Sequence, residues 1–217
     1  MRRCCLACCP AKHARSIPPN SRLVTGYCPI MVATIDQLLH SLTRAVNALA
    51  EADIKFAVAG GCAVYARGGP ASQHDVDIFV KPEDCAKAVR TLAEAGLRVC
   101  DPPEDWLRKV YDGDVLIDVI YRPNYRDVTD ELLDRATPMR IGPTSAPVVS
   151  GTDLMVDKLL VFDAHRLDFA PLLHIARDLR EQVDWAEARR QTAESPYARA
   201  FLGLLDDLGI TDTGKVK

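Results

Sequence analysis

The 217-residue chain is 48% hydrophobic and 26% charged, with a formal net charge of −3. That is enough apolar material for one α/β domain with a helical extension, and no apolar run reaches membrane-spanning length. Residues 1–30 carry Arg2, Arg3, Lys12, Arg15 and Arg22 and no acid, so residues 31–217 stand at −8. A generally basic, nucleic-acid-binding surface is thereby excluded, and only a local patch is left for such contacts.

In chain order, residues 1–30 show no periodicity and hold five of the eight cysteines: Cys4, Cys5, Cys8, Cys9 and Cys28. Cys5-Leu-Ala-Cys8 has the spacing of half a zinc site, but no second pair follows at ligand distance. The segment reads as an unstructured tail, possible to omit from translation, because Met31 directly precedes a helix start. Cys62, Cys85 and Cys100 lie scattered in the body, which suits a reducing cytoplasm.

Thr34-Ile-Asp-Gln37 reads as a capping box, and Leu38, Leu39, Leu42, Val46 and Leu49 follow at helical spacing, predicting a helix over 35–51. A strand at 54–59 runs into Gly60-Gly61, and a short helix at 62–67 stops at Gly68-Gly69-Pro70. A second strand spans 76–80. Pro82, Glu83 and Asp84 open a helix that Gly96 ends. Residues 97–100 form a short strand, and 106–111 with 115–121 form a hairpin turning at Asp112-Gly113. A helix at 129–135 and short strands at 140–141 and 148–149 follow. From Ser150 the period is helical, with helices near 152–163, 169–181, 184–193 and 197–208. The fold class is α/β (α+β): a core at 31–150 with a small mixed sheet and flanking helices, then a helical region at 151–217.

Chemistry concentrates in Asp75-Val-Asp77. Side chains two apart on a strand share a face, so both carboxylates can meet one metal ion. Their flanks, Val76, Ile78, Phe79 and Val80, are apolar, and buried carboxylates there need a cation or donor. Gly60-Gly61 at the mouth of a helix lets backbone N–H groups approach a phosphate. Asp118, inside Val115-Leu-Ile-Asp-Val-Ile-Tyr121, is either a third metal ligand or half of a salt bridge to Lys109 or Arg122. Three acids suit two Mg²⁺ ions around a nucleoside triphosphate, with Asp118 taking the attacking hydroxyl's proton or lowering its pKa through the metal.

Lys158 interrupts the stripe of Leu154, Met155, Leu159 and Phe162. It is either a snorkelling lysine or a cation aimed at the triphosphate. Asp168 is either an N-cap or an orienting residue of the site. His74 reads as a surface or supporting residue. The arginines at 177, 180, 189, 190 and 199 alternate with Glu181, Glu187 and Glu194, the pattern of a solvated helical face.

Gly60-Gly61, Asp75-Val-Asp77 and Asp118 on a later strand resemble the DNA polymerase beta-like nucleotidyltransferase superfamily over roughly residues 35–180. The resemblance implies transfer of a nucleotidyl group from an NTP with two Mg²⁺ ions. It implies that Gly60 and Gly61 bind phosphates and that Asp75, Asp77 and Asp118 bind metal. The second half, with Asp153-Leu154, Lys158 and Asp168, is similar to abortive-infection-type and MenT-type toxins of toxin–antitoxin modules. That likeness implies that Lys158 and Asp168 are active-site residues, that the acceptor is the tRNA 3′ end, and that an antitoxin protein neutralises the enzyme in the cytoplasm. Two positions depart from the pattern: Ala71-Ser72-Gln73-His74 replaces Arg and Thr or Ser before Asp75, and Pro171-Leu172 replaces a second Asp after Asp168. The alternatives are an enzyme acting on an aminoglycoside-like hydroxyl, which the acidic body suits, and an inactive nucleotide- or partner-binding relative.

Overall fold

A computed structural model describes residues 34–71, 75–100 and 103–211. The amino-terminal segment with its five cysteines, and His74, lie outside the described residues.

Helix α1 (Ile35–Glu51) starts on the expected capping box: the Gln37 amide donates to Thr34 Oγ1 at 3.3 Å and the Thr34 amide to Gln37 Oε1 at 2.8 Å. Its buried face carries Leu38, Leu42, Val46 and Leu49. Then follow β1 (Phe56–Ala59), α2 (Gly60–Ala66), β2 (Asp75–Val80), α3 (Pro82–Glu94), β3 (Arg98–Cys100), β4 (Leu107–Asp112) and β5 (Val115–Ile120). After them come α4 (Asp130–Asp134), β6 (Thr137–Ile141), β7 (Thr144–Val148) and the carboxy-terminal helices α5 (Gly151–Leu160), α6 (Ala170–Leu179), α7 (Trp185–Gln191) and α8 (Pro196–Asp207).

The seven strands form one mixed sheet in the order β3-β4-β5-β2-β1-β7-β6. The β2–β5 and β1–β7 pairs are parallel and the others antiparallel. The hairpin turns one residue later than the sequence suggests. Asp112 pairs with Val115, which leaves Gly113-Asp114 as the loop, with Gly113 at φ +61°. Asp112 is held within β4 because Ser41 Oγ donates to it at 2.9 Å and Arg44 forms an ion pair with it, both from α1.

Strands β6 and β7 are longer than expected. Pro138 faces Pro147 across the pair, and proline masks a strand signal although an edge strand such as β6 tolerates it. The carboxy-terminal helices are fixed to the sheet by Arg67 at the end of α2. Its guanidinium donates to the carbonyls of Val149 (2.7 Å) and Val148 (3.2 Å) and to Gln182 Oε1 (3.1 Å), and Gln182 Nε2 returns a bond to the Arg67 carbonyl. Phe162, Phe169 and Phe201 pack as an aromatic trio with centroids 5.0–5.8 Å apart, tying the segment after α5 to α8.

Candidate active site

The sheet register builds the site. Asp77 lies opposite Ala59 on β1 and beside Asp118 on the parallel strand β5, and Asp118 lies opposite Lys109 on β4. Lys109, Asp118, Asp77 and Ala59 thus form a row across four adjacent strands, and residues in register share a face. Asp75, two residues before Asp77, joins that face. Carboxylate oxygens of Asp75, Asp77 and Asp118 all lie within 4.8 Å of one another. The salt bridge weighed as an alternative for Asp118 is present as well: Lys109 Nζ lies 3.2 Å from its Oδ1. One Asp118 side chain, 5% exposed as a residue, therefore serves both the ion pair and the carboxylate group.

Gly60 closes the row. It has φ +55°, and a Cβ there would fall 1.6 Å from Asp77 Oδ2. Glycine is required twice over, for the left-handed backbone and for the approach of the carboxylate. The N-cap residue of α2, Ala59, offers no side-chain cap, so the first-turn N–H groups stay available to an anion beside the carboxylates.

Burial, then the charges of Asp75 and Asp118, push the Asp77 carboxyl up to about 8. Lys158 pulls it back and Asp157 adds to the push, so both α5 residues lie within electrostatic reach of Asp77. The Cys62 thiol, beneath the site, is pushed up to about 12 by burial and then by Asp77 and Asp75, which leaves it protonated and unreactive. Three clustered carboxylates, one of them holding its proton to about pH 8, form a hard oxygen donor set short of positive charge. That set fits Mg²⁺.

Of the residues singled out in the sequence, Asp75, Asp77, Asp118 and Gly60 come together, with Gly61 next along α2 and Lys158 half-buried on α5. Asp168 is exposed before α6 and is not the expected N-cap, which is Phe169 without a side-chain cap; its Oδ1 accepts the Ala170 amide at 3.1 Å from one residue further back. The arginine series is largely engaged nearby: Arg180 with Glu181, Arg189 with Asp206, Arg190 with Glu187, and Arg199 with the Ala193 carbonyl. Sequence reasoning missed Asp157, whose Oδ1 accepts from Asn124 Nδ2 at 2.6 Å. The signal was an acid three residues after Leu154 in the same apolar helix. It also missed Arg135, which donates to both oxygens of the buried Asp153 at 3.0 and 2.8 Å; Ser150, the N-cap of α5, bonds the same carboxylate.

A mixed sheet bearing a glycine turn against three clustered carboxylates is the arrangement of a nucleotidyltransferase. The chain belongs to the family described as "Uncharacterised nucleotidyltransferase", whose profile matches residues 5–210. No curated protein sequence matches. Among solved structures, the solution structure of the antibiotic-resistance factor ANT(2'')-Ia aligns with a TM-score of 0.55 at 15% identity, over 81% of this chain and 98% of that one. The crystal structure of ANT(2'')-Ia in complex with adenylyl-2''-tobramycin aligns with a TM-score of 0.51 at 14% identity, over 79% and 98%. At these identities the likeness is one of fold.

Proposed function

We propose that this nucleotidyltransferase moves a nucleoside monophosphate from an NTP to a hydroxyl of a small acceptor molecule. The observation that carries the reading is the carboxylate row: Asp75, Asp77 and Asp118 within 4.8 Å on one sheet face, against the Gly60 turn. In this reading the three carboxylates hold Mg²⁺, which when bound neutralises triphosphate charge and acts as a Lewis acid at the α-phosphate.

The chain's own groups do the rest. Amides at Gly60 and Gly61 cradle phosphate oxygens. Lys158 faces the charge that builds on the departing pyrophosphate. Lys109 fixes the orientation of Asp118, which accepts the proton as the acceptor hydroxyl oxygen bonds to the α-phosphorus and the bond to pyrophosphate breaks. Asp168, exposed just before α6, is assigned a substrate-orienting role on the resemblance in sequence.

A small acceptor is favoured by the surface. The body is acidic, and Arg180, Arg189 and Arg190 on the described carboxy-terminal helices are paired with neighbouring acids, which leaves less positive charge for RNA. The second reading, a toxin that adds nucleotides to tRNA 3′ ends and is neutralised by an antitoxin, rests on the similarity around Lys158 and Asp168 and on the charge of Lys158 reaching Asp77. One experiment separates them. The protein is incubated in Mg²⁺ with each α-labelled NTP and, in parallel, tobramycin, maltotriose or total tRNA. Label on a small hydroxylated acceptor is the expected result. Label on tRNA alone establishes the second reading, and no label on any acceptor with any NTP overturns both.

A further inference from the structure

A hollow of about 240 Å³ lies against the same sheet face as the carboxylates. Phe79, two residues after Asp77 on β2, lines it together with Leu132 and Val156. Asn124, Asp157 and Gln191 supply polar walls. Asp157 precedes Lys158, and its charge is felt at Asp77, so the hollow lies within electrostatic reach of the reacting centre.

Most charges around the hollow are already matched. Arg135 is engaged by both oxygens of Asp153 and Asp127 accepts from Arg122 at 2.9 Å, while Arg126 donates to the neutral Gln191 at 2.7 Å. Asp157 differs. It is half-buried, accepts a side-chain hydrogen bond from Asn124 at one oxygen, and has no cationic nitrogen within ion-pairing distance among the described residues. Burial pushes its carboxyl up to about 6 even though Lys158, Asn124 and Arg126 oppose the shift.

Holding the loop does not require this charge. Asn124, in the left-handed conformation at φ 50°, also donates to the Asp157 backbone carbonyl at 3.1 Å, and a neutral amide at 157 would serve its side chain equally. A desolvated carboxylate facing a hollow is stabilised most by a donor that brings positive charge. An anionic ligand would instead have to sit beside the Asp157 carboxylate, with Arg126 as the lining guanidinium not paired to a carboxylate among the described residues.

We propose that this hollow is the acceptor subsite, and that Asp157 selects acceptors carrying an ammonium group near the reacting hydroxyl. The proposal rests on the small-acceptor reading above. Its test uses binding without NTP, so that the two fail separately. Tobramycin, a polyammonium probe, and maltotriose, a neutral polyol, are titrated calorimetrically into the full chain and into Asp157→Asn, which keeps an oxygen for Asn124. The expected result is tobramycin binding to the wild type that weakens about tenfold or more in Asp157→Asn, the loss of one charge-assisted hydrogen bond. Asp157→Glu retains most of the affinity, and maltotriose discriminates none of the three. In turnover, Asp157→Asn raises the KM of the ammonium acceptor and leaves that of the NTP in place. Equal tobramycin affinity in wild type and Asp157→Asn overturns the proposal, as does absence of tobramycin binding to the wild type. A KM change confined to the NTP also overturns it and assigns the hollow to the nucleotide. Failure of transfer to every small hydroxyl, with the Asp157 dependence of binding intact, would refute the reaction and leave the subsite standing.

Discussion

Gly60→Ala is the substitution whose consequence the structure fixes most tightly. An alanine at φ +55° pays about 1–2 kcal/mol for the left-handed backbone alone. Its Cβ would also lie 1.6 Å from Asp77 Oδ2, 2.5 Å from Cγ and 2.9 Å from Cβ. The carboxylate would have to retreat by roughly 2 Å to reach ordinary contact distance. In a packed strand such overpacking costs about 1–3 kcal/mol. The total is about 2–5 kcal/mol, read as a fall in the urea midpoint at unchanged slope. Gly113→Ala is the control: it too has positive φ, at +61°, but nothing lies within 4 Å of the added Cβ, so it loses the backbone contribution and keeps full transfer activity. The Gly60 variant loses Mg²⁺ affinity and transfer because Asp77 leaves the row. A Gly60→Ala protein as stable as Gly113→Ala and transferring normally would refute the geometry assigned to the turn.

Three further outcomes are expected. Because the folded-state pKa of Asp77 is raised from 3.8 to about 8, the folded metal-free protein holds a proton that the unfolded chain releases, so this group's contribution to stability falls as pH rises from about 4 to 8. Added Mg²⁺ should therefore raise the melting temperature more at pH 8.5 than at pH 6 in thermal scans, and an equal effect at both would count against the shift. Lys158→Ala should lower kcat by about 10²-fold with an unchanged circular-dichroism spectrum, and retained turnover would remove Lys158 from the site. Arg135→Met leaves the buried Asp153 with Ser150 as its remaining side-chain partner and should cost about 2 kcal/mol in urea denaturation; a change under about 0.5 kcal/mol would mean the pair is not structural.

The parts of this molecule legible in its sequence are those written locally. The α1 capping box and its apolar stripe fixed that helix to the residue, since both signals act within a few turns. Asp75 and Asp77 were placed on one face by the period of a strand. What local pattern cannot supply is register between strands distant in sequence. That Asp118 stands beside Asp77, and Lys109 across from Asp118, follows from the β2–β5 and β4–β5 pairings. For Asp118 the sequence therefore left ligand and salt bridge as alternatives; the structure gives it both the Lys109 ion pair and a place among the three carboxylates. Asp157 was hidden for the same reason: its partner Asn124 lies 33 residues away, on a 3₁₀ turn with left-handed backbone. Pro138 and Pro147 obscured the β6–β7 hairpin because proline usually argues against a paired strand.

The central claim, that the Asp75–Asp77–Asp118 row is a Mg²⁺-dependent centre of nucleotidyl transfer, is tested most directly by Asp77→Asn. Label transfer from an α-labelled NTP is measured in Mg²⁺ for the wild type and the variant, alongside their metal-free melting temperatures. Transfer should fall by at least about 10²-fold in the variant. Above about pH 8 the metal-free variant should melt at or above the wild type, because there the Asp77 carboxyl ionises beside the other two carboxylates and the amide does not. Transfer by Asp77→Asn within tenfold of the wild type would contradict the claim.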